Sequence, residues 1–210
     1  MYPKLKTNIA QLESDFDSIP SERKAQLREV AEYILSKKES GEKARLNFIC
    51  THNSRRSHLA QIWTQTAAVH YGIDNIETYS GGTEATAFNP RAVAAIERAG
   101  FQVENSEGEN PKYKVFTSDE FDPMICFSKK FEDDFNPNKN FAAIMTCSDA
   151  DGNCPFVPGA EFRKPITYVD PKEADGTDHE AETYDERCRK IATEMFFMMN
   201  VVSLKINNPT

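Results

Sequence analysis

Arg45-Leu-Asn-Phe-Ile-Cys50-Thr-His-Asn-Ser-Arg-Arg56-Ser57 is a short apolar run that ends on a cysteine, followed by five further residues and then Arg-Ser. The apolar run suits a buried strand, and after Ser57 the period changes: Leu59, Ile62, Trp63, Thr66, Ala67 and His70 recur at helical spacing, with Gly72 as a stop. Strand, tight loop, helix is the resulting order. The chain then repeats it. Residues 75–79 read as a strand, Ser80-Gly81-Gly82-Thr83 as a loop, and residues 89–99 as a helix with Pro90 in its first turn and Gly100 closing it.

Working outward, residues 141–147 form a second buried-strand pattern that also ends on a cysteine. Residues 113–117 and 124–128 are β-rich and flank an acidic, Pro-containing turn, which predicts a hairpin. Residues 148–165 read as loop, 167–169 as short and extended, and 177–204 as a long helix. The inner stripe of that helix is Ala181, Tyr184, Cys188, Ile191, Met195, Met199 and Val202. Toward the amino end, Leu27, Val30, Ala31, Ile34 and Leu35 mark an amphipathic helix between Pro20 and Ser40. The expectation is a helical extension, residues 1–43, packed on a body of residues 44–210. Alternating strands and helices imply an α/β body with a mainly parallel sheet, whose ligands gather at the carboxyl ends of the strands. Cys50 and Cys147 both fall there.

The 210 residues carry 25 Lys and Arg against 33 Asp and Glu, a formal charge of −8. An acidic chain argues against nucleic acid or an anionic membrane as a general partner, so an anionic substrate must be caught locally. No apolar run approaches the ~20 residues of a membrane span, and the first residues lack the apolar stretch of a signal peptide, so a cytoplasmic protein is expected. In a reducing compartment five cysteines, at 50, 126, 147, 154 and 188, are reactive or buried thiols rather than a disulfide framework.

The spacing from Cys50 to Ser57 is that of an anion cradle. A loop of this size can turn successive backbone N–H groups of Thr51, His52, Asn53, Ser54, Arg55, Arg56 and Ser57 inward while a helix amino terminus adds its partial positive charge. Arg56 can close the cradle with a bidentate fork. A cysteine on the floor of such a field is set up to attack as a thiolate, with Ser57 to hydrogen-bond it and Asn53 to brace the loop. Cys147 and Cys154 lie seven positions apart, too far for a zinc knuckle. The polar segment between them could rearrange to let the sulfurs meet, although from spacing alone two unrelated thiols are the better reading. Asp170-Pro171 precedes the last helix; its carboxyl could reach the cradle and protonate a leaving oxygen, and by itself it is only a turn signal. Cys126 and Cys188 read as small buried hydrophobes, and His58, His70 and His179 have no ligand-like spacing. No metal and no cofactor is called for.

In this order the motifs resemble the low-molecular-weight protein tyrosine phosphatase superfamily, and within it the thioredoxin-coupled arsenate reductases. The resemblance runs from about Arg45 to Val202. It rests on Cys50 to Ser57, on Ser80 to Thr83 with Asn89-Pro90-Arg91-Ala92, on Asp170-Pro171, and on the Cys147/Cys154 pair followed by Pro155, which the plain phosphatases generally lack. It implies a three-layer α/β sandwich around a four-stranded, mainly parallel sheet, to which the extension and the hairpin are additions. Glu173 stands where many of the phosphatases carry an aromatic residue. His52 stands where Gly is usual and Arg55 where a second Cys is frequent, so a bulkier and more basic cradle is expected.

The resemblance further implies a mechanism: arsenate held by Arg56 and the loop amides, attack by Cys50 with Asp170 as proton donor, and a relay through Cys147 and Cys154 to a thioredoxin-like reductant. Its alternative is a phosphatase that forms a phosphocysteine on Cys50, and a third reading is a non-catalytic oxyanion-binding module.

Overall fold

The apolar run before the cradle forms β1 (Ala44–Cys50), flanked on both sides by parallel neighbours. The computed structural model describes residues 1–154 and 156–208. Before β1 come α1 (Pro3–Ser14) and α2 (Ser21–Glu39). After it come α3 (Arg56–His70), β2 (Ile76–Gly82), α4 (Pro90–Ala99), β3 (Gln102–Asn105), β4 (Tyr113–Phe116) and β5 (Met124–Cys126). The chain continues with β6 (Phe141–Met145), α5 (Ser148–Asn153), β7 (Ala160–Pro165), a 3-10 turn at Pro171–Ala174 and α6 (Glu180–Asn207).

The main sheet has the order β2-β1-β6-β7, and every pairing in it is parallel. Alternation along its central strands sends side chains to opposite faces. Leu46, Phe48, Ala142 and Ile144 enter a large apolar cluster with Trp63 of α3 and Phe196 of α6. Ile49, Phe141, Ala143 and Met145 enter a smaller one with Cys147, Ala150 and Val157. Helices therefore flank the sheet unequally, and the thin face is the one that holds Cys50 and Cys147. Leu5, Ile9 and Leu12 of α1 and Leu27, Val30 and Ile34 of α2 belong to the large cluster, so the amino-terminal helices share its core. Among the described residues no helix is long and apolar enough to cross a membrane.

Several expectations need correction. The hairpin over 113–128 is two strands of a three-stranded antiparallel sheet, β3-β4-β5. Its third strand, Gln-Val-Glu-Asn, is largely solvent-facing and so carries no apolar alternation. Ser80, Gly81 and Gly82 belong to β2 rather than to a loop. Their glycines serve close approach: a Cβ on Gly81 would lie 2.4 Å from Phe131 Cα, and one on Gly82 would lie 2.6 Å from the Thr51 carbonyl oxygen. The stretch 148–165 contains α5 and β7. Cys147 caps α5 by accepting from the Ala150 N–H (3.3 Å), and acidic Asp149 and Asp151 suit its first turn. Strand β7 is half exposed at the sheet edge, which hides it from an apolar-run search. Residues 167–169 lie just past β7 and form no strand, although the Tyr168 N–H still donates to the Thr146 carbonyl (3.1 Å). His70 and Ala181, placed on inner faces by period, are exposed because each sits at a helix end.

Candidate active site

The chain between β1 and α3 curls at the carboxyl end of the sheet. The carbonyl of Cys50 accepts from the Thr83 N–H (3.1 Å), that of Thr51 from the Glu84 N–H (2.8 Å), and that of Ser54 from the Asn89 N–H (2.8 Å). The carbonyl of His52 accepts from the Ser128 hydroxyl at 2.9 Å. Among the described residues no peptide is cis, and in a planar trans peptide the following N–H points opposite its carbonyl. Carbonyls tied outward at residues 50, 51, 52 and 54 thus turn the amides of Thr51, His52, Asn53 and Arg55 inward. Asn53 makes the bend at φ 44°, a left-handed conformation that Asn tolerates better than most residues.

Cys50 is buried on the loop floor, with its Sγ 3.1 Å from Ser57 Oγ. Ser57 Oγ already accepts from Asn53 Nδ2 (2.9 Å), so its own proton is free to point at the sulfur. The other end of the Asn53 side chain accepts from the Lys129 N–H (2.9 Å), which locks the brace. Arg56, at the first position of α3, donates from Nη1 to the Tyr168 carbonyl (2.9 Å) and from Nη2 to Asp170 Oδ2 (2.6 Å). Its buried Nε has no partner among the described residues. Asp170 Oδ1 accepts from the Lys172 N–H (3.1 Å), which caps the 3-10 turn. Cys50, Arg56 and the Asp170 carboxyl thus lie in one region of the fold.

Two side chains stand elsewhere than expected. Arg55 donates to the Tyr184 hydroxyl (2.7 Å) and to Asp175 (3.4 Å), and its Nε also lies 3.8 Å from Asp170 Oδ1. His52 is half exposed on the rim, 3.6 Å from Glu84.

The second thiol lies close by. Cys147 is fully buried, and its Sγ is 3.4 Å from the hydroxyl of Thr51, the residue next to Cys50. Cys154 is half buried at the far end of α5; all five thiols are free, and Pro155 lies outside the described residues. Arg163 of β7 binds this end of α5. It donates to the Cys154 carbonyl (3.1 Å), the Asp151 carbonyl (2.8 Å) and the Asp151 carboxylate (2.5 Å). Burial pushes the Cys126 and Cys188 thiols up to about 12, and Cys188 accepts from Trp63 Nε1 (3.2 Å).

Sequence reasoning missed the outer supports of the loop. Ser128 and Lys129 hold it from more than seventy residues away, where no local pattern could mark them. His58 is buried beneath it, stacked on Phe88 at 4.2 Å and 3.1 Å from Ser80 Oγ, and burial drives its pKa well below the usual imidazole value. Lying next to Ser57, it could have been suspected, but a single histidine carries no spacing signal.

A parallel sheet that delivers a buried cysteine into a loop with Arg56 at its helix start is an arrangement suited to thiol chemistry on an oxyanion. The low molecular weight phosphotyrosine protein phosphatase family matches residues 45–149, and the chain belongs to that family. It is 33% identical over 147 residues to an arsenate reductase of Bacillus licheniformis, covering 70% of this chain and 88% of that one. It is 32% identical over 142 residues to an arsenate reductase of Bacillus subtilis strain 168, covering 68% and 84%. Its fold is similar to that of an arsenate reductase in the phosphate binding state (TM-score 0.51, 17% identity, 76% of this chain and 99% of that one). It is also similar to that of a low molecular weight phosphotyrosine phosphatase from Vibrio cholerae O395 (TM-score 0.50, 13% identity, 75% and 95%).

Proposed function

We propose that the protein reduces arsenate to arsenite with a cysteine nucleophile and a three-thiol relay. The observation that carries this reading is the placement of Cys147 Sγ against Thr51, one residue from Cys50, on a helix whose other end bears Cys154. In a hydrolytic phosphatase the same thiols would serve only to protect Cys50 by reversible oxidation. The curated relatives named as arsenate reductases, at 32–33% identity, support the same choice.

Arsenate enters the loop, receives the inward amides and takes the Arg56 fork that Asp170 now occupies. The Cys50 thiolate attacks arsenic. Asp170 gives its proton to a departing oxygen, which leaves as water, and an As(V)–S bond forms. Cys147, as a thiolate, attacks the Cys50 sulfur; the S–As bond breaks, its electron pair reduces arsenic to As(III), and arsenite leaves behind a Cys50–Cys147 disulfide. Cys154 attacks Cys147, which frees the Cys50 thiolate and leaves a Cys147–Cys154 disulfide. A thioredoxin-like dithiol returns the pair to thiols. Five free thiols and a charge of −8 fit a reducing, cytoplasmic setting in which the anion is caught only at the loop.

The second reading is hydrolysis of a phosphate monoester, and the observation that favours it is the complete Cys50, Arg56 and Asp170 set, which needs no second thiol. Here Asp170 serves as acid to the leaving group and then as base for water. A non-catalytic oxyanion module has no such support. One paired assay decides: arsenate with thioredoxin and its reductase, and separately an aryl phosphate, with wild type and Cys50→Ser, Cys147→Ser and Cys154→Ser. All three substitutions are expected to stop arsenate turnover. Undiminished turnover in Cys147→Ser and Cys154→Ser would remove the relay, and efficient aryl phosphate cleavage without arsenate reduction would establish the phosphatase.

A further inference from the structure

Residues 1–43 lie before the stretch that matches the family, yet one of their side chains reaches the segment that carries Asp170. Arg23, in the first turn of α2, donates from Nη2 to the Thr167 carbonyl at 2.8 Å. Its Nε is 3.5 Å from Glu194 Oε2 of α6, and its guanidinium covers the Tyr168 ring at 5.5 Å from the centroid. The Tyr168 hydroxyl donates to the same Glu194 oxygen (2.7 Å). Tyr168 is thereby held at its ring and its hydroxyl. Its backbone is held too, by the N–H bond to Thr146 (3.1 Å) and by a carbonyl that accepts from Arg56 Nη1 (2.9 Å). Two residues on stands Asp170, on the other arm of the Arg56 fork.

We propose that Arg23 is a positioning residue, through which the amino-terminal helices fix the 167–170 segment and so set Asp170 and Arg56 for proton delivery and oxyanion binding. This rests on the reading of Asp170 as proton donor. Glu194 is 2% exposed, and burial pushes its carboxyl up against the opposing pull of Arg23 and Tyr168. A buried ion pair is a poor source of net stability, because desolvating both charges offsets their attraction. What this one provides is a fixed direction for Tyr168. Only a planar fork can hold a carbonyl, a carboxylate and a ring face together, so lysine is not an equivalent. Residues 167–170 need such an anchor because Val169 is 57% exposed and the segment runs beyond the end of β7.

The test measures kcat and KM for the faster of arsenate and phenyl phosphate in wild type, Arg23→Met, Arg23→Lys, Asp170→Asn and the Arg23→Met/Asp170→Asn double variant, with amide hydrogen exchange across 166–175. Asp170→Asn is expected to lower kcat about 100-fold or more, the range for a lost general acid. Arg23→Met is expected to lower kcat about 10- to 100-fold with little change in KM, as a misplaced catalytic group does. In the Asp170→Asn background the same substitution should cost less than about twofold, since interacting sites are not additive. Arg23→Lys keeps a charge beside Glu194 and separates fold from position: its melting temperature stays near that of wild type while kcat is reduced.

Wild-type kcat in both Arg23 variants, or an undiminished loss in the Asp170→Asn background, overturns the proposal. Wild-type kcat in Asp170→Asn removes the proton-donor reading instead. In that case, or if neither substrate is turned over, exchange decides: faster exchange across 166–170 in Arg23→Met retains Arg23 as the anchor, and unchanged exchange removes it.

Discussion

Replacing Arg163 by Met should speed formation of the Cys147–Cys154 disulfide. The two thiols occupy the residues just before and just after α5, so by ideal helical rise their Cα atoms are about 10 Å apart, whereas a disulfide needs about 4.4–6.8 Å. Helix α5 must therefore unwind before Cys154 can attack. Arg163 opposes this by holding the Cys154 carbonyl and both the carbonyl and carboxylate of Asp151. Its side chain is 25% exposed and that of Asp151 32%, so the ion pair is largely screened and contributes about 1 kcal/mol or less. The two carbonyl bonds add roughly 1 kcal/mol between them after competition with water. About 2 kcal/mol corresponds to about a 30-fold shift in the opening equilibrium. Where opening is fast and precedes the thiol exchange, the observed rate rises by the same factor. The assay uses a Cys50→Ser background, mild oxidation, alkylation at timed intervals and mass measurement of the 147–154 pair. Equal rates in the Arg163→Met and Arg163 proteins would refute the reasoning, as would disulfide formation with α5 amides still protected from exchange.

Asp170→Asn should tighten inhibition by inorganic phosphate about fivefold even as it lowers kcat, because it removes a carboxylate that competes for Arg56 at about 1 kcal/mol; steady-state inhibition measures both. Burial lowers the Lys129 pKa to about 8. Below that pH folded and unfolded chains both carry the proton and the burial cost stands; between about 8 and 10.5 the unfolded chain binds more protons, so wild type should gain up to about 3 kcal/mol relative to Lys129→Met, read as urea midpoints at pH 7.5 and 10.5. Parallel pH profiles would contradict this. Native-state labelling with a thiol reagent at pH 8 should leave Cys126 and Cys188 unmodified, and Cys188→Ala should cost about 1–2 kcal/mol in urea unfolding because Trp63 Nε1 loses its acceptor.

The strand, loop and helix start from Ala44 to Ser57 were legible because their signals are local. Cys50 and Cys147 were legible for the same reason, since one ends the mainly apolar β1 and the other lies two residues past the apolar β6. Illegible elements lack an apolar signature of their own. Strand β3 is mostly exposed, β7 is a half-exposed edge, and α5 is a polar Ser-Asp-Ala-Asp-Gly-Asn segment started by the Cys147 cap. Gly81 and Gly82 misled because glycine marks a turn and a close backbone approach alike, and only the position of Phe131 and Thr51 tells them apart. The roles of Ser128, Lys129 and Arg23 are tertiary, made by bonds to chain far away in sequence, and no single-sequence pattern encodes them.

The sign of the cradle depends on that tertiary structure as well. Two adjacent arginines on a helix start suggest a doubly positive window in a chain of net charge −8. Folding brings both to carboxylates: Asp175 pairs with Arg55, and Asp170 pairs with Arg56 while also lying 3.8 Å from Arg55 Nε. The Arg55 pairing is set by Tyr184, whose hydroxyl accepts from Arg55 and donates to Asp175, so that charge stays with the fold. The Arg56 pairing is different, because an oxyanion on the loop amides would reach the same guanidinium edge that Asp170 occupies. Binding is then an exchange of one anion for another at Arg56. The displaced carboxyl stays near Arg55, whose Nε lies 3.8 Å from Asp170 Oδ1. The loop amides supply the attraction that makes the exchange favourable.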